Sequence, residues 1–255
     1  APAPCLALTG PGLAQYVGER GRHVFKATFF GESVSAAYDE GANAAVAAAK
    51  AVARFEEYKD DGSLGRLEEF GGMEGTLCVI GLESGGDKIY VPERAVVTID
   101  RHILPGETAE GAAAQLRAMI DSADVGCRYE LEWDDRPTPA PPAFVTDPES
   151  AFVTAAKQSL ERALGREVGF ALARSVADTN HLAAHGGRLA GGARRSAAEV
   201  AAGRPSLPTI ILGPTGGNTC AANEWVDTES LLPTATAILD TVRAMLPPLP
   251  APSKL

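Results

Sequence analysis

The first half of the chain alternates stretches with a period of two and stretches with the spacing of an amphipathic helix. Period-two alternation, which is typical of strands, occurs in four runs, 22–30, 76–83, 94–103 and 127–133. An alanine-rich helix is predicted from about Gly41, and a second helix follows Pro105 with acidic residues near its amino end. The order strand, helix, strand, strand, helix, strand predicts a ferredoxin-like (βαββαβ) domain.

The second half of the chain interleaves apolar strands with amphipathic helices, which indicates an α/β layer. Helical spacing is found over 148–165, 178–187 and 229–246, and apolar runs mark strands at 167–173 and 208–213. The first 20 residues add one short apolar strand, CLALT, and a weaker second one at LAQYV. With about two good strands the layer is expected to be incomplete, because a parallel sheet is normally covered on both faces.

Proline residues separate the two halves. The stretch DRPTPAPPAF at 135–144 has the composition of a stiff connector. The expected division has four parts, listed here in chain order: an amino-terminal segment at 1–20 that packs on the α/β layer, the ferredoxin-like domain at 21–136, a proline-rich linker at 137–145 and a carboxy-terminal α/β region at 146–255.

Charge and cysteine content exclude several classes of protein. The formal charge of −10 and the lack of a lysine or arginine run argue against a nucleic-acid partner. No basic segment precedes an apolar run and no stretch of about 18 apolar residues occurs, so neither export nor a membrane span is expected. The four cysteines lie far apart, without the paired spacing of a zinc knuckle or a redox pair, which fits a reducing cytoplasm.

Four segments, in order, carry a resemblance to one enzyme family. They are GESVSAAYDEGANAAVAAA (31–49), GGDKIYVPERAVVTIDRHILPGETAEGAAAQLRAMI (85–120), SVADTNHLAAHGG (175–187) and GPTGGNTCAANEWVDTESL (213–231). Together they resemble the zinc aminoacylase and carboxypeptidase family, which includes acetylornithine deacetylase, succinyl-diaminopimelate desuccinylase and glutamate carboxypeptidase. The resemblance implies a ferredoxin-like lid domain plus an incomplete α/β layer that corresponds to the carboxy-terminal part of a zinc-peptidase catalytic domain.

The resemblance also implies that metal chemistry has been lost from this chain. In the family, an amino-terminal catalytic portion precedes the lid and carries most of the metal ligands. The lid pattern G-x-x-x-H-[AS]-[AS] supplies a histidine to the substrate, and the matching position here is Ser35. The last metal ligand is the histidine of H-x-x-[ND]-E, and the matching position is Cys220. No cofactor is therefore expected, unless a partner chain supplies further ligands for zinc.

Other positions match the residues that face the site in the family. Asp178, Glu224 and Cys220 are the candidates for catalysis, since a carboxylate could act as a general base and a thiol beside glycine N–H groups could be reactive. Polar lid and loop residues of the family hold the substrate's carboxylate and amide. The corresponding candidates for substrate binding are Arg101, Asn43, Ser35, Asn180, Asn218, Thr219 and His181.

Each candidate also has a structural interpretation. Cys220 could be a small, partly buried loop residue, and Arg101 could pair with Asp100 or another acid of the same domain. Asn43 could cap the helix after Gly41, and Asn218 could satisfy its own turn. His181 and His185 lie four residues apart, as a metal pair or an ordinary helix end would. Four arginines of the segment before 205 could bind an anion or belong to a solvated insertion: Arg188, Arg194, Arg195 and Arg204.

Three hypotheses follow for the function. In the first, the chain is a metal-free, degenerate relative of the amidohydrolases and one subunit of a heteromeric complex. A second polypeptide would cover the missing part of the sheet, and the substrate would be a small amino-acid derivative, which could be linked to a carrier protein and undergo intramolecular amine displacement. In the second hypothesis the chain is part of a split or truncated zinc-dependent hydrolase. In the third it is a non-catalytic binding or regulatory module that associates through its lid.

Overall fold

The computed structural model describes residues 4–8, 14–38, 40–59, 62–85, 89–134, 139–189 and 202–246 of the chain. The chain folds into two compact units. We name Arg20–Ala143 the ferredoxin-like unit, and Ala1–Glu19 together with Phe144–Leu255 the α/β unit. None of the described helices is long and apolar enough to cross a membrane.

The secondary structure contains every strand and helix that the sequence pattern predicts. The strands are β1 (Cys5–Leu8), β2 (Gln15–Glu19), β3 (Gly21–Phe30), β4 (Arg66–Leu67), β5 (Met73–Glu74), β6 (Thr76–Ser84), β7 (Arg94–Ile103), β8 (Arg128–Trp133), β9 (Phe144–Val145), β10 (Phe170–Ala173), β11 (Thr209–Leu212), β12 (Gly216–Gly217) and β13 (Trp225–Val226). The α-helices are α1 (Ala44–Glu57), α2 (Ala109–Ser122), α3 (Ala151–Leu164), α4 (Asp178–Leu189) and α5 (Leu231–Met245).

The ferredoxin-like unit has the predicted sheet with two helices. Its four long strands are antiparallel in the order β6-β7-β3-β8, and α1 and α2 pack on one face. The alternation of β3 explains this packing, because Phe25, Ala27 and Phe29 all point into the core, where they meet Ala47 of α1 and Leu116 of α2. The ferredoxin-like fold expected from the sequence is therefore confirmed.

The start of α1 differs from the prediction. The helix begins at Ala44 and not near Gly41, whose φ of 82° is incompatible with a right-handed helix. Asn43 occupies the cap position instead, and its side-chain oxygen accepts hydrogen bonds from the backbone N–H groups of Ala45 and Val46 at 3.0 and 3.3 Å. The helix start is thus determined by the cap and not by the first alanine.

The α/β unit has more strands than the pattern suggested. Its mixed sheet has the order β1-β11-β2-β10, and the two-residue strand β9 pairs with β2. The sequence indicated β10 and β11 as good strands and β1 and β2 as weaker ones, and it missed β9, which has only two residues. Helices α3 and α5 cover one side through a cluster of Leu160, Val168, Leu212 and Ala237. All of β11 is buried, so both faces of this strand are covered.

Candidate functional site

The segment after β11 forms a small hairpin that carries two of the predicted catalytic residues. Strands β12 and β13 pair Gly216 with Val226 and Gly217 with Trp225. A Cβ atom at Gly216 would lie 2.6 Å from the carbonyl oxygen of Trp225, and one at Gly217 would lie 2.6 Å from Nε1 of the same residue. The glycines are therefore needed for the close approach of the two short strands.

Cys220 and Glu224 lie in the turn of this hairpin. Asn218, Cys220 and Asn223 have positive φ angles of 54°, 59° and 59°, a conformation that asparagine tolerates and cysteine rarely adopts. The side-chain amide of Asn218 donates to the carbonyl oxygen of Asn223 at 3.1 Å, so Asn218 satisfies its own turn, which is the structural alternative for this residue. Thr219, Cys220 and Glu224 are all exposed, so the partly buried alternative for Cys220 is wrong.

The exposure of the four cysteines predicts an order of reactivity. Cys78 and Cys220 are exposed, whereas burial raises the pKa of both Cys5 and Cys127, opposed by hydrogen bonds from Thr209 and from the backbone of Phe30. Because the thiolate is the reactive form, we expect two fast thiols and two slow ones in native protein treated with a chromogenic disulfide. The Cys220→Ser variant should lose one fast thiol. Loss of a slow thiol instead would contradict the exposed turn.

The segment between β10 and α4 carries the remaining catalytic candidate. Asp178 is exposed in the first turn of α4, where a carboxylate is favoured by the helix dipole. Asn180 is fully buried, and its Oδ1 accepts a hydrogen bond from the backbone N–H of Ala177 at 2.8 Å. This position favours a structural role for Asn180 over substrate contact. His181 is half-buried on the same turn.

Glu19, which the sequence analysis missed, lies beside this helix. It ends β2, is 2% exposed and accepts a hydrogen bond from the hydroxyl of Thr179. Burial raises the pKa of Glu19 to about 7, and the Thr179 hydrogen bond opposes the rise only in part. The sequence shows a carboxylate at the end of an apolar strand, which could have suggested a buried acid. Its hydrogen-bond partner, Thr179, lies 160 residues away, so the local sequence gives no sign of the contact.

The strand directions separate the predicted catalytic residues. β10 is parallel to β2 and β11 is antiparallel to it. Asp178, which follows β10, therefore lies at the same sheet edge as Glu19, and the hairpin after β11 leaves from the opposite edge. The two ends of a four-residue strand such as β10 or β11 are about 13 Å apart. Cys220 and Glu224 share one turn, and Asp178 follows a strand that runs in the opposite direction to the strand before that turn.

The side chains that the structure describes do not form a donor set for a zinc ion. Among the described residues there is no group of three or more His, Cys, Asp and Glu side chains that could hold a metal. A zinc site needs three or four such ligands in tetrahedral positions. Arg188, Arg194 and Arg195 and their segment lie outside the described side chains. No step of the chemistry discussed below therefore uses a metal.

The ferredoxin-like unit contributes the other three candidates. Ser35 is half-buried and pairs its backbone with Tyr90, and its hydroxyl accepts from the N–H of Ala37 at 3.4 Å. Asn43 is occupied as the cap of α1. Arg101 has no exposed side-chain surface and forms an ion pair with Glu107 at 3.0 Å. These contacts favour the structural alternatives for Asn43 and Arg101.

Comparison with known proteins agrees with this architecture. Residues 17–126 match the model of the peptidase dimerisation domain. No curated protein sequence matches the chain. A tripeptidase from Staphylococcus aureus superposes with a TM-score of 0.69 and 18% identity over 96% of this chain and 58% of its own.

Two further solved structures have the same fold. Aminopeptidase PepT from Bacillus cereus gives a TM-score of 0.67 with 20% identity, over 94% of this chain and 56% of its own. An amidase of the hydantoinase/carbamoylase family from Burkholderia multivorans gives 0.59 with 17% identity, over 93% and 51%. The chain spans little more than half the length of each. Residues 17–126 therefore match the peptidase dimerisation domain, and the chain shares the fold of these peptidase and amidase structures.

Proposed function

We propose that this chain is one subunit of a heteromeric, amidohydrolase-like enzyme that binds an amino-acid-derived substrate and holds no zinc of its own. The observation that carries the proposal is the position of β1. This strand pairs with β11 on one side and with no described strand on the other. A second polypeptide that continues the sheet beyond β1 would complete the α/β unit, and this chain spans 58% of the length of the tripeptidase.

The hairpin turn supports chemistry without a metal. Glu224 is an exposed carboxylate four residues from the exposed thiol of Cys220. A carboxylate in this position would act as a general base, taking the proton that an amine of the substrate loses when it displaces a leaving group within the same molecule. Such a step needs only positioning and proton transfer, and it also suits an amino acid held on a carrier protein. Thr219, in the same turn, remains a predicted substrate contact.

The remaining candidates play different parts in the proposal. Asp178 is exposed at the start of α4 and stays a candidate general base. Ser35 keeps its predicted substrate role, because its side chain is half-buried and its only described hydrogen bond is long. Arg101 and Asn43 support the fold of the ferredoxin-like unit.

Purification of the tagged chain from the cells that make it tests the proposal. Mass spectrometry should find a stoichiometric second polypeptide, and elemental analysis of the same peak should find less than one zinc per complex. In that complex, Glu224→Gln should lower turnover by about 10²–10⁴-fold, as loss of a general base does. Glu167→Gln, an exposed carboxylate elsewhere in the α/β unit, is the matched control. About two zinc ions per complex together with amide hydrolysis would overturn the proposal.

A split zinc hydrolase is the second candidate function. The match to the peptidase dimerisation domain and the peptidase and amidase neighbours favour it. It requires the second polypeptide to supply nearly all the ligands. Zinc that is retained by the complex but lost after Cys220→Ser would favour this candidate, because it would make Cys220 a ligand. A complex without any turnover would instead favour the binding or regulatory module.

A further inference from the structure

One face of the four-stranded sheet carries a cluster of polar side chains that the proposed function does not use. We name it the outer face, because its side chains point away from α1 and α2. Phe25, Leu77 and Ile99 point towards these helices, so the residues one position along each strand point outward. The cluster lies at one end of the outer face and consists of five side chains: Arg22, Thr76, Cys78, Asp100 and His102.

Strand pairing places the thiol of Cys78 beside two of these side chains. Cys78 of β6 is the direct partner of Asp100 on β7, and Thr76 is the direct partner of His102. Direct partners in an antiparallel sheet have Cβ atoms about 4.5–5.5 Å apart, and diagonal neighbours such as Cys78 and His102 are within the reach of an aromatic side chain. Cys78 is exposed, so a small molecule in solution reaches the same thiol.

Asp100 holds the imidazole of His102 in one orientation. The residue is only 8% exposed, and its Oδ1 lies 3.2 Å from Nδ1 of His102, without another partner in the described part of the chain. Its Oδ2 accepts a hydrogen bond from Nε of Arg22 at 2.7 Å. Burial opposes ionisation, but the contacts with His102 and Arg22 outweigh it and lower the pKa of Asp100 to about 2. The carboxylate therefore stays charged at neutral pH, keeps the imidazole proton on Nδ1 and leaves the lone pair on Nε2.

The charged groups nearest to Cys78 include more cations than anions. Asp100 lies directly opposite the thiol, but its charge is compensated by the ion pair with Arg22 at 2.5 Å. Arg20 adds a guanidinium that donates to the hydroxyl of Thr76 at 3.2 Å, two residues before Cys78. A cation near a thiol favours the thiolate, which is the reactive form. Charged side chains farther along the outer face belong to β3, β6, β7 and β8: Lys26, Glu83, Arg94, Arg128, Glu130 and Glu132.

We propose that Cys78 is a modification site, at which the thiol attacks small-molecule disulfides with His102 as its general base. Nε2 of His102 takes the thiol proton, and the sulfur of Cys78 forms a bond to one sulfur of the disulfide while the disulfide bond breaks. The leaving half takes up the proton and departs as a thiol, so Cys78 is oxidised to a mixed disulfide and the leaving half is reduced. This site is independent of the proposed function. Cys220, the other exposed thiol, lies in a turn whose sequence contains no histidine.

The rate of thiol modification at pH 6.5 tests the proposal in the full chain. The Cys220→Ser variant keeps Cys78 as its exposed thiol, and Cys78→Ser keeps Cys220. An ordinary cysteine is only about 1% thiolate at this pH, so a general base has a large effect. We expect the second-order rate constant with a chromogenic disulfide to be at least about tenfold higher for Cys78 than for Cys220. Between pH 8 and pH 6 the rate constant of Cys78 should also fall less.

His102→Gln in the Cys220→Ser background removes the base and keeps a side-chain amide that can donate to Asp100. It should lower the rate constant of Cys78 by at least about tenfold. His185→Gln, at an exposed histidine of α4, is the matched control and should leave this rate constant unchanged. Circular dichroism checks that each variant is folded; if His102→Gln is not, the comparison of the two thiols at pH 6.5 and pH 8 decides. Equal rate constants for Cys78 and Cys220, or a folded His102→Gln variant that reacts as fast as its parent, would overturn the proposal.

Discussion

Replacing Arg101 with methionine should lower the free energy of unfolding of the ferredoxin-like unit by about 3–5 kcal/mol, as loss of one partner of a buried ion pair does. The guanidinium has no exposed surface and donates to the carbonyl oxygen of His102. It also donates to the carbonyl oxygen of Leu64 at 3.2 Å, to Glu107 at 3.0 Å and to Gln115 at 3.1 Å. Methionine fills much of the volume and satisfies none of these acceptors, of which the carbonyl oxygen of Leu64 would stay buried and unpaired.

The measurement uses urea unfolding followed by the fluorescence of Trp133, which lies in β8 of the same unit. Trp225, the second tryptophan of the chain, is first replaced with phenylalanine so that only this unit reports. Arg128→Met is the control, because Arg128 is an exposed arginine of the same sheet paired with Glu130. We expect a change of less than about 0.5 kcal/mol there. Equal changes in the free energy of unfolding for the two substitutions would show that the hydrogen bonds of Arg101 do not stabilise this unit.

Arg101 also shows what a family resemblance leaves open about a residue. The sequence placed it correctly on a strand, directly after Asp100, and the strand is present as β7. The sequence could not show on which face the side chain lies or what surrounds it. Its partners come from a loop near Leu64 and from α2, and such long-range contacts have no signal in the local pattern. The alternative in which an acid of the same unit pairs with Arg101 fits the geometry, and the acid is Glu107.

The fold was predictable where the periodicity is long. The ten-residue strands β3 and β7 and the helices with a cap residue follow from alternation and capping. Strand β9 has two residues within a proline-rich segment, and the β4–β5 hairpin has two residues on each side. Runs of this length carry no period. They form because neighbouring strands offer unpaired backbone groups, which depends on the tertiary structure.

The candidate site was predictable only in its local part. Cys220 and Glu224 are four residues apart between glycines and a short β-run, so a shared turn follows from the sequence. Asp178 follows β10, which runs in the opposite direction to β11, the strand before the hairpin. Strand direction cannot be read from apolar runs of four or five residues. A resemblance that aligns four segments in order therefore does not give the directions of the strands between them.

The stability of the α/β unit should fall as the pH rises from about 4.5 to 7, because of Glu19. Burial raises the pKa of this carboxyl from 4.5 to about 7 in the folded state. The folded protein consequently binds this proton more tightly than the unfolded chain does. The stability that this proton contributes is complete below pH 4.5 and is lost as the pH rises through 7. At about 1.4 kcal/mol per unit of pKa difference it amounts to about 3 kcal/mol. Thr179 donates to the carboxyl but cannot replace water around a full charge.

The Glu19→Gln variant isolates this effect, since glutamine keeps the oxygen that accepts from Thr179 and cannot ionise. Its urea midpoint should match that of the wild type near pH 5 and correspond to about 2–3 kcal/mol more stability at pH 8. Glu167→Gln, at an exposed site of the same unit, should leave the pH dependence of the wild type unchanged. Thr179→Val removes a hydrogen bond that lowers the Glu19 pKa, so the loss of stability should continue to a higher pH than in the wild type. If Glu19→Gln and the wild type keep the same pH dependence, the carboxyl is ionised in the fold and something that the described residues do not include must stabilise it.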